Sequence, residues 1–307
     1  MANTFPGKIM LFGEHSIACQ SQALVVPFFA KTASWAFCPE NEQTPAIKAS
    51  AESLAALIKY LKNTPDLARS FKLETFEAEL KKALYFDSNI PQGYGVGSSG
   101  ALVAAVYERF YSGAKPADLK SLKVLLAQIE SFFHGSSSGI DPLCCFTQET
   151  IKIDEKGNLI PLPDFSNKMA DFPVRIFLID TRTTSSTAGM VAHFKEKLLH
   201  YNFFKKLNEQ YIPANNQAIE SFVRADFSRF LVEAERISVL QQKELGQLIP
   251  EKFQSYFGPI TAAKPFTLKL CGSGGGGYLL GFTSEKEKSS RYLENAGLQF
   301  EFPEFGR

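Results

Sequence analysis

The chain has 307 residues, 45% hydrophobic and 21% charged, which excludes a disordered or fibrous protein and suits one large or two medium globular domains. Its formal net charge is +1, from 33 basic and 32 acidic residues, so composition gives no electrostatic footprint for nucleic acid or a membrane surface. The five cysteines (Cys19, Cys38, Cys144, Cys145 and Cys271) are odd in number and contain no CxxC pair. They point to reduced thiols and a cytoplasmic setting rather than a disulfide framework or a zinc site.

The opening MANTFPGKIMLFGEH lacks the basic segment and long apolar core of a signal peptide. Within it, GKIMLFGEH predicts a buried strand ending at Gly13, and ALVVPFF a second strand, too short to span a bilayer. Helical spacing follows over 51–62 and 74–84. YFDSNIP reads as a short strand leading into a glycine loop, and ALVAAVYERFY as the helix after it. Apolar residues at 122, 125, 126, 129, 132 and 133 predict a helix over 118–133, broken by HGSSSGID. The Pro-, Asn- and Asp-rich stretch 154–173 reads as a domain boundary, giving domains 1–168 and 169–307. VRIFLIDTR predicts a strand, 187–209 and 227–245 long helices, and FTLKLCGSGGGGYLLGFT a strand, a glycine loop and a strand. No repeat is visible, and the irregular mixing of strands and helices argues for an α+β fold rather than a doubly wound sheet.

The loop PQGYGVGSSGA concentrates Gly93, Gly95, Gly97, Ser98, Ser99 and Gly100 just before a helix start near Ser98. Glycines let the backbone approach a ligand, and the unpartnered amides of a helix N-terminus attract an anion. A serine hydroxyl here could also reach a Mg²⁺ ion held by phosphates. Taken alone, the segment reads equally well as a phosphate site and as a serine N-cap after a flexible turn. There is no GxxxxGK[ST]. Gly95, Gly97 and Gly100 satisfy a bare GxGxxG, but the acidic residue at dinucleotide spacing, Asp118, opens a helix instead of ending a strand.

Three segments together carry a more specific pattern. PQGYGVGSSGA resembles the PxxxGxGSSA phosphate loop of the GHMP small-molecule kinases, a superfamily that includes galactokinases, homoserine kinases, mevalonate kinases and phosphomevalonate kinases. PGKIMLFGEH, residues 6–15, resembles their N-terminal motif, and KLCGSGGGG, residues 269–277, their C-terminal glycine motif. IESFFHGSSSGID places Glu130 and Asp141 eleven residues apart and resembles the E-x₃-HG-x₂-SGxD segment of the mevalonate kinases. DTRTTSSTAGMVAHF resembles the segment of that family in which a threonine precedes a helix. The chain departs from the pattern at Ser137, where Pro is usual, at Gly100 and Ser273, where Ala is common, and at Val96, where Leu is common.

The resemblance implies two α+β domains, the first like domain 2 of ribosomal protein S5 and the second ferredoxin-like. It implies ATP and Mg²⁺ as cofactors and the 5-hydroxyl of mevalonate as acceptor. Phosphomevalonate, homoserine or a sugar are alternative acceptors, and a silent nucleotide-binding relative is a remote one. In this reading Asp141 takes the acceptor proton and Lys8 stabilises the developing charge. Glu130 with Ser98 or Ser99 holds the metal, and Gly93, Gly95, Gly97, Ser98, Ser99 and Gly100 hold the nucleotide phosphates. Glu14, His15, Thr187, Gly272, Gly274 and Gly275 line the acceptor site. A homodimer is a further expectation; nucleic-acid and membrane partners are not expected. Each residue has a plainer reading by itself: Asp141 as a turn residue, Glu130 on a solvated helix face, His15 at a core edge, Lys8 as a strand lysine and CGSGGGG as a linker. Their joint occurrence at these spacings favours the site.

Overall fold

The computed structural model describes residues 3–184 and 187–306. The chain begins with β1 (Thr4–Phe12) and β2 (Ala23–Phe37), then α1 (Pro45–Asn63), α2 (Pro65–Ala68), α3 (Leu73–Lys81) and β3 (Leu84–Ser88). Next come α4 (Ser98–Phe110), α5 (Leu119–His134), α6 (Ile140–Thr147), β4 (Thr150–Ile153), β5 (Leu159–Leu162), α7 (Phe165–Lys168) and β6 (Arg175–Asp180). The remainder forms α8 (Thr187–Leu198), α9 (Tyr201–Lys206), α10 (Ile212–Val223), α11 (Phe227–Glu244), β7 (Thr267–Leu270), β8 (Tyr278–Thr283), α12 (Lys286–Asn295) and β9 (Gln299–Glu301).

These elements make two compact units with interleaved segments. One comprises Met1–Lys8, Pro27–Pro91 and Gly97–Gln148, and the other Ile9–Val26, Gln92–Val96 and Glu149–Arg307. Strands β1 and β2 and the glycine loop therefore each contribute residues to both. In the first unit, Ala33–Phe37 of β2 pair antiparallel with β3. The core there is aromatic: Phe76 and Phe110 stack with centroids 4.0 Å apart, and Trp35 meets Phe110 edge-on. Helix starts follow local chemistry. Thr44 caps α1 through its side chain ahead of Pro45, and the Asp118 carboxylate accepts from the Ser121 amide at the start of α5.

In the second unit, Ala23–Val25 of β2 pair with β4, and β4 pairs with β5. A separate four-stranded sheet runs β7-β8-β6-β9, its strand pairs antiparallel. Phe12, Phe230 and Phe282 pack as one aromatic cluster, with Phe12 and Phe282 stacked at 5.6 Å. Much of the unusual phenylalanine content, 28 residues, is spent on such ring packing in the two cores. The architecture is α+β, as expected.

Two stretches differ from the sequence reading. The helix expected over 187–209 is interrupted: Leu199 and His200 bond back three residues, to Glu196 and Lys197, which ends α8. The chain restarts as α9, passes through a π-helical turn over Leu207–Tyr211, and continues as α10, which periodicity had not revealed. The stretch 154–173 contains β5 and α7, within the second unit.

Candidate active site

In the first unit, β1, α4, α5 and α6 bring four charged or hydroxyl side chains together. Lys8 Nζ lies 2.9 Å from an Asp141 carboxylate oxygen. The lysine side chain is 5% exposed and the aspartate 31%, so the cation is buried while the carboxylate faces outward. Asp141 sits in the first turn of α6, behind Gly139 in a left-handed conformation, and is not the isolated turn residue of the plainer reading. Glu130, on the inner face of α5, is 3% exposed. One of its oxygens accepts from Ser99 Oγ at 3.0 Å and the other from Ser137 Oγ.

The glycine loop explains how Lys8 and Ser99 come so close. Helix α4 starts at Ser98 with Gly97 as its cap, in a left-handed conformation and without a side-chain cap bond. A Cβ on Gly97 would lie 2.7 Å from Lys8 Cγ, so the lysine stem runs where any other residue would have its side chain. Ser98 and Ser99 therefore occupy the first turn of α4, with hydroxyls free of capping duty. Gly100 faces the backbone of Asp141 and Pro142. Ser99 Oγ also lies 3.1 Å from His134 Nε2, and partial burial lowers the pKa of that imidazole.

Burial, and next the neighbouring Asp141 charge, raise the Glu130 pKa from the usual carboxyl range to about 7, against the opposing pull of the two serine hydroxyls and Lys8. The folded-state pKa lies above the unfolded one, so the folded protein binds this proton more tightly. Stability from this group is complete below the unfolded pKa and is lost as pH rises from about 4.5 through about 7. At ~1.4 kcal/mol per pKa unit the loss is ~3 kcal/mol. Glu130→Gln is expected to remove most of that pH-dependent component, measured as the difference in urea unfolding free energy between pH 5 and pH 8.

A buried carboxylate ringed by hydroxyls, with a second carboxylate close by, is a hard-oxygen donor set that fits Mg²⁺. Among the described residues no group of three or more His, Cys, Asp or Glu could hold a metal ion. A cation here would need its remaining ligands from water and phosphate oxygens. Behind the site Cys144 and Cys145 are fully buried, which pushes both thiols up and keeps them protonated.

The second unit holds the other site residues foreseen. Gly93 and Gly95 both have positive φ. A Cβ on Gly95 would lie 2.7 Å from the Cys271 carbonyl oxygen, and one on Gly272 would lie 3.0 Å from Gly95 Cα, so the two glycine loops touch backbone to backbone. The Leu248 carbonyl accepts from the Gly275 amide and lies against Gly274. His15 is buried and its Nε2 donates to the Ser273 carbonyl at 3.2 Å. Glu14 forms an ion pair with Lys269. Thr187 opens α8, and its side chain lies outside the described residues.

Sequence reasoning missed several partners. Ser137 registered only as a departure from Pro, yet its hydroxyl bonds Glu130. His134 and Lys269 lay inside quoted motifs without roles. Gln241 and Tyr211, joined by a buried hydrogen bond of 2.9 Å, carried no local signal.

Residues 50–149 match the family model described as GHMP kinases N terminal domain. The mevalonate kinase of Thermococcus gammatolerans is 23% identical over 316 residues, covering 92% of this chain and 89% of the relative. That of Archaeoglobus fulgidus is 24% identical, covering 96% of each. The crystal structure of L. major mevalonate kinase in complex with R-mevalonate superposes with a TM-score of 0.61 at 16% identity, covering 99% of this chain and 93% of the other. Fold and loop architecture agree with the family match, which covers residues 50–149 of this chain. The curated relatives named above are, within that superfamily, mevalonate kinases.

Proposed function

We propose that this protein is an ATP-dependent kinase that transfers the γ-phosphoryl group of ATP to the 5-hydroxyl of mevalonate, feeding isoprenoid synthesis. The observation that carries the reading is the 2.9 Å Lys8–Asp141 pair set at the first turn of α4 and beside the buried Glu130. Phosphoryl transfer needs positioning and charge neutralisation rather than covalent help, and this cluster offers both.

The amides of Gly97, Ser98, Ser99 and Gly100 receive phosphate oxygens, with Gly93 and Gly95 shaping the approach. Asp141 accepts the proton of the attacking hydroxyl as the new P–O bond forms and the bond to ADP breaks. Lys8 sits beside that carboxylate and stabilises the charge on the transferred group. Glu130 and a serine hydroxyl, for which Ser99 is the better placed, would hold Mg²⁺. Bound there, the ion would screen the phosphate charge that develops on transfer. Glu14, His15, Thr187, Gly272, Gly274 and Gly275 are assigned to the acceptor. No helix among the described residues is long and apolar enough to cross a membrane, which is consistent with work in the cytoplasm.

The test is coupled ADP release with MgATP and a panel of mevalonate, phosphomevalonate, homoserine and galactose. Turnover with mevalonate, at a kcat/KM at least tenfold above the other three, is the expected result. Preference for another acceptor would keep the kinase and replace its substrate. No turnover with any of the four would overturn the reading.

A further inference from the structure

Lys269 is a charged residue in the heart of the second unit, and the mechanism above does not use it. Its side chain is 2% exposed and that of its partner Glu14 is 3% exposed. The ammonium donates to Glu14 Oε1 and, at 2.6 Å, to the Leu270 carbonyl, and lies over the Phe12 ring with its centroid 5.6 Å away. Burying such a pair is expensive, and hydrophobic replacements of the same volume are often no less stable, so stability alone is a weak reason for it.

The surroundings show what the pair holds in place. Glu14 Oε2 is buried without a hydrogen-bond partner, and so is Nδ1 of His15. The Nε2 of His15 donates to the Ser273 carbonyl, and burial lowers the pKa of the ring, so Nδ1 carries a lone pair. Two neighbouring residues thus present two buried acceptors in need of donors, a situation folded proteins rarely leave unanswered. A chain of bonds braces the same corner. The Leu270 amide donates to Gln241 Oε1 at 2.8 Å, and Gln241 Nε2 donates to the Tyr211 hydroxyl at 2.9 Å. Tyr211 closes the π-helical turn, an irregularity often found at functional sites, and the Glu14 charge, after burial, helps keep its phenol protonated.

We infer that Lys269 is a positioning residue for the phosphoryl acceptor: it fixes Glu14 through one carboxylate oxygen and leaves the other, together with His15 Nδ1, to accept hydrogen bonds from substrate hydroxyls. This rests on the assignment of Glu14 and His15 to the acceptor. The corner so built recognises an alcohol and repels a carboxylate. The acid group of the acceptor must therefore be held by other residues.

Lys269→Met keeps the stem and removes the charge. The expected result is a rise of roughly 10–100-fold in acceptor KM, the scale of a lost charge-assisted hydrogen bond, with the MgATP KM within about twofold of wild type. The groups facing Glu14 are Lys269, His15 and Tyr211. Lys269→Arg restores the charge and recovers acceptor KM. A purely structural role would lower the melting temperature and the active fraction while leaving both KM values alone.

Should Lys269→Met not fold, Glu14→Gln is compared with Glu14→Gln/Lys269→Met, which carries no orphaned charge. A lysine that acts through Glu14 adds less than about twofold to the acceptor KM of Glu14→Gln. A further rise of about tenfold or more in that double variant, or an unchanged acceptor KM in Lys269→Met, overturns the inference, while wild-type turnover leaves the kinase reading standing. A wild type inactive on every acceptor overturns that reading, and this inference with it.

Discussion

Asp141→Asn is expected to lower kcat with mevalonate by about 10²–10⁴-fold while leaving the MgATP KM within a few-fold of wild type. The amide has nearly the shape of the carboxylate and cannot take a proton from the acceptor hydroxyl. The proposed role rests on the setting of Asp141. It stands on a rigid helical first turn, its side chain is partly exposed, and a buried lysine lies 2.9 Å away. The competing explanation is that the pair only pins β1 to α6. In that case the variant would melt at lower temperature and retain its kcat, because the lysine would lose its partner and the chemistry would not. A kcat within about twofold of wild type removes Asp141 from the role of base. Pre-steady-state phosphoryl transfer separates a chemical defect from slow product release.

Lys8→Met should cost about 10²–10³-fold in kcat, the loss that follows removal of one preorganised donor at a developing charge. Methionine retains the unbranched stem that passes Gly97, so the loop geometry survives. The substitution also has an electrostatic signature. Lys8 lowers the Glu130 pKa, and without it that pKa rises above about 7. The acid limb of the kcat profile then moves to higher pH, since the carboxylate proposed to hold Mg²⁺ must be ionised. Lys8→Arg is expected to rescue only in part, because a guanidinium presents a planar fork to Asp141 in place of a compact ammonium. An unchanged kcat in Lys8→Met, with the acid limb in its wild-type place, would exclude the lysine from the transfer step.

Much of this was legible in the chain itself, for identifiable reasons. Glycines needed at positive φ cannot be replaced by other residues without strain, so the two glycine loops announce themselves as composition. Capping obeys local rules, and Asp118, which the sequence reads as opening a helix, caps α5, whereas the helix expected over 51–62 begins earlier, at Pro45 behind Thr44. Apolar periodicity located α5 and, with it, the inward face that carries Glu130. The order of the three motifs was enough for the resemblance to the GHMP kinases.

Tertiary structure decided the rest, because the deciding interactions join residues far apart in the chain. Lys8 and Asp141 pair across 133 positions of sequence, Lys269 and Glu14 across 255, and no local pattern encodes either distance. The choice of Ser99 over Ser98 as partner of Glu130 depends on the rotation of α4, which Gly97 sets by starting the helix where it does. The raised Glu130 pKa arises from desolvation and a neighbouring charge, neither of which exists until the chain is folded. The break after α8 and the π-helical turn before α10 could not be read from periodicity, since the apolar stripe runs on through both. The sequence alone thus determined the residue types the chemistry requires and the loops that carry them. Only folding decided which of those groups are buried, which are paired, and which are left with an oxygen or a nitrogen still seeking a partner.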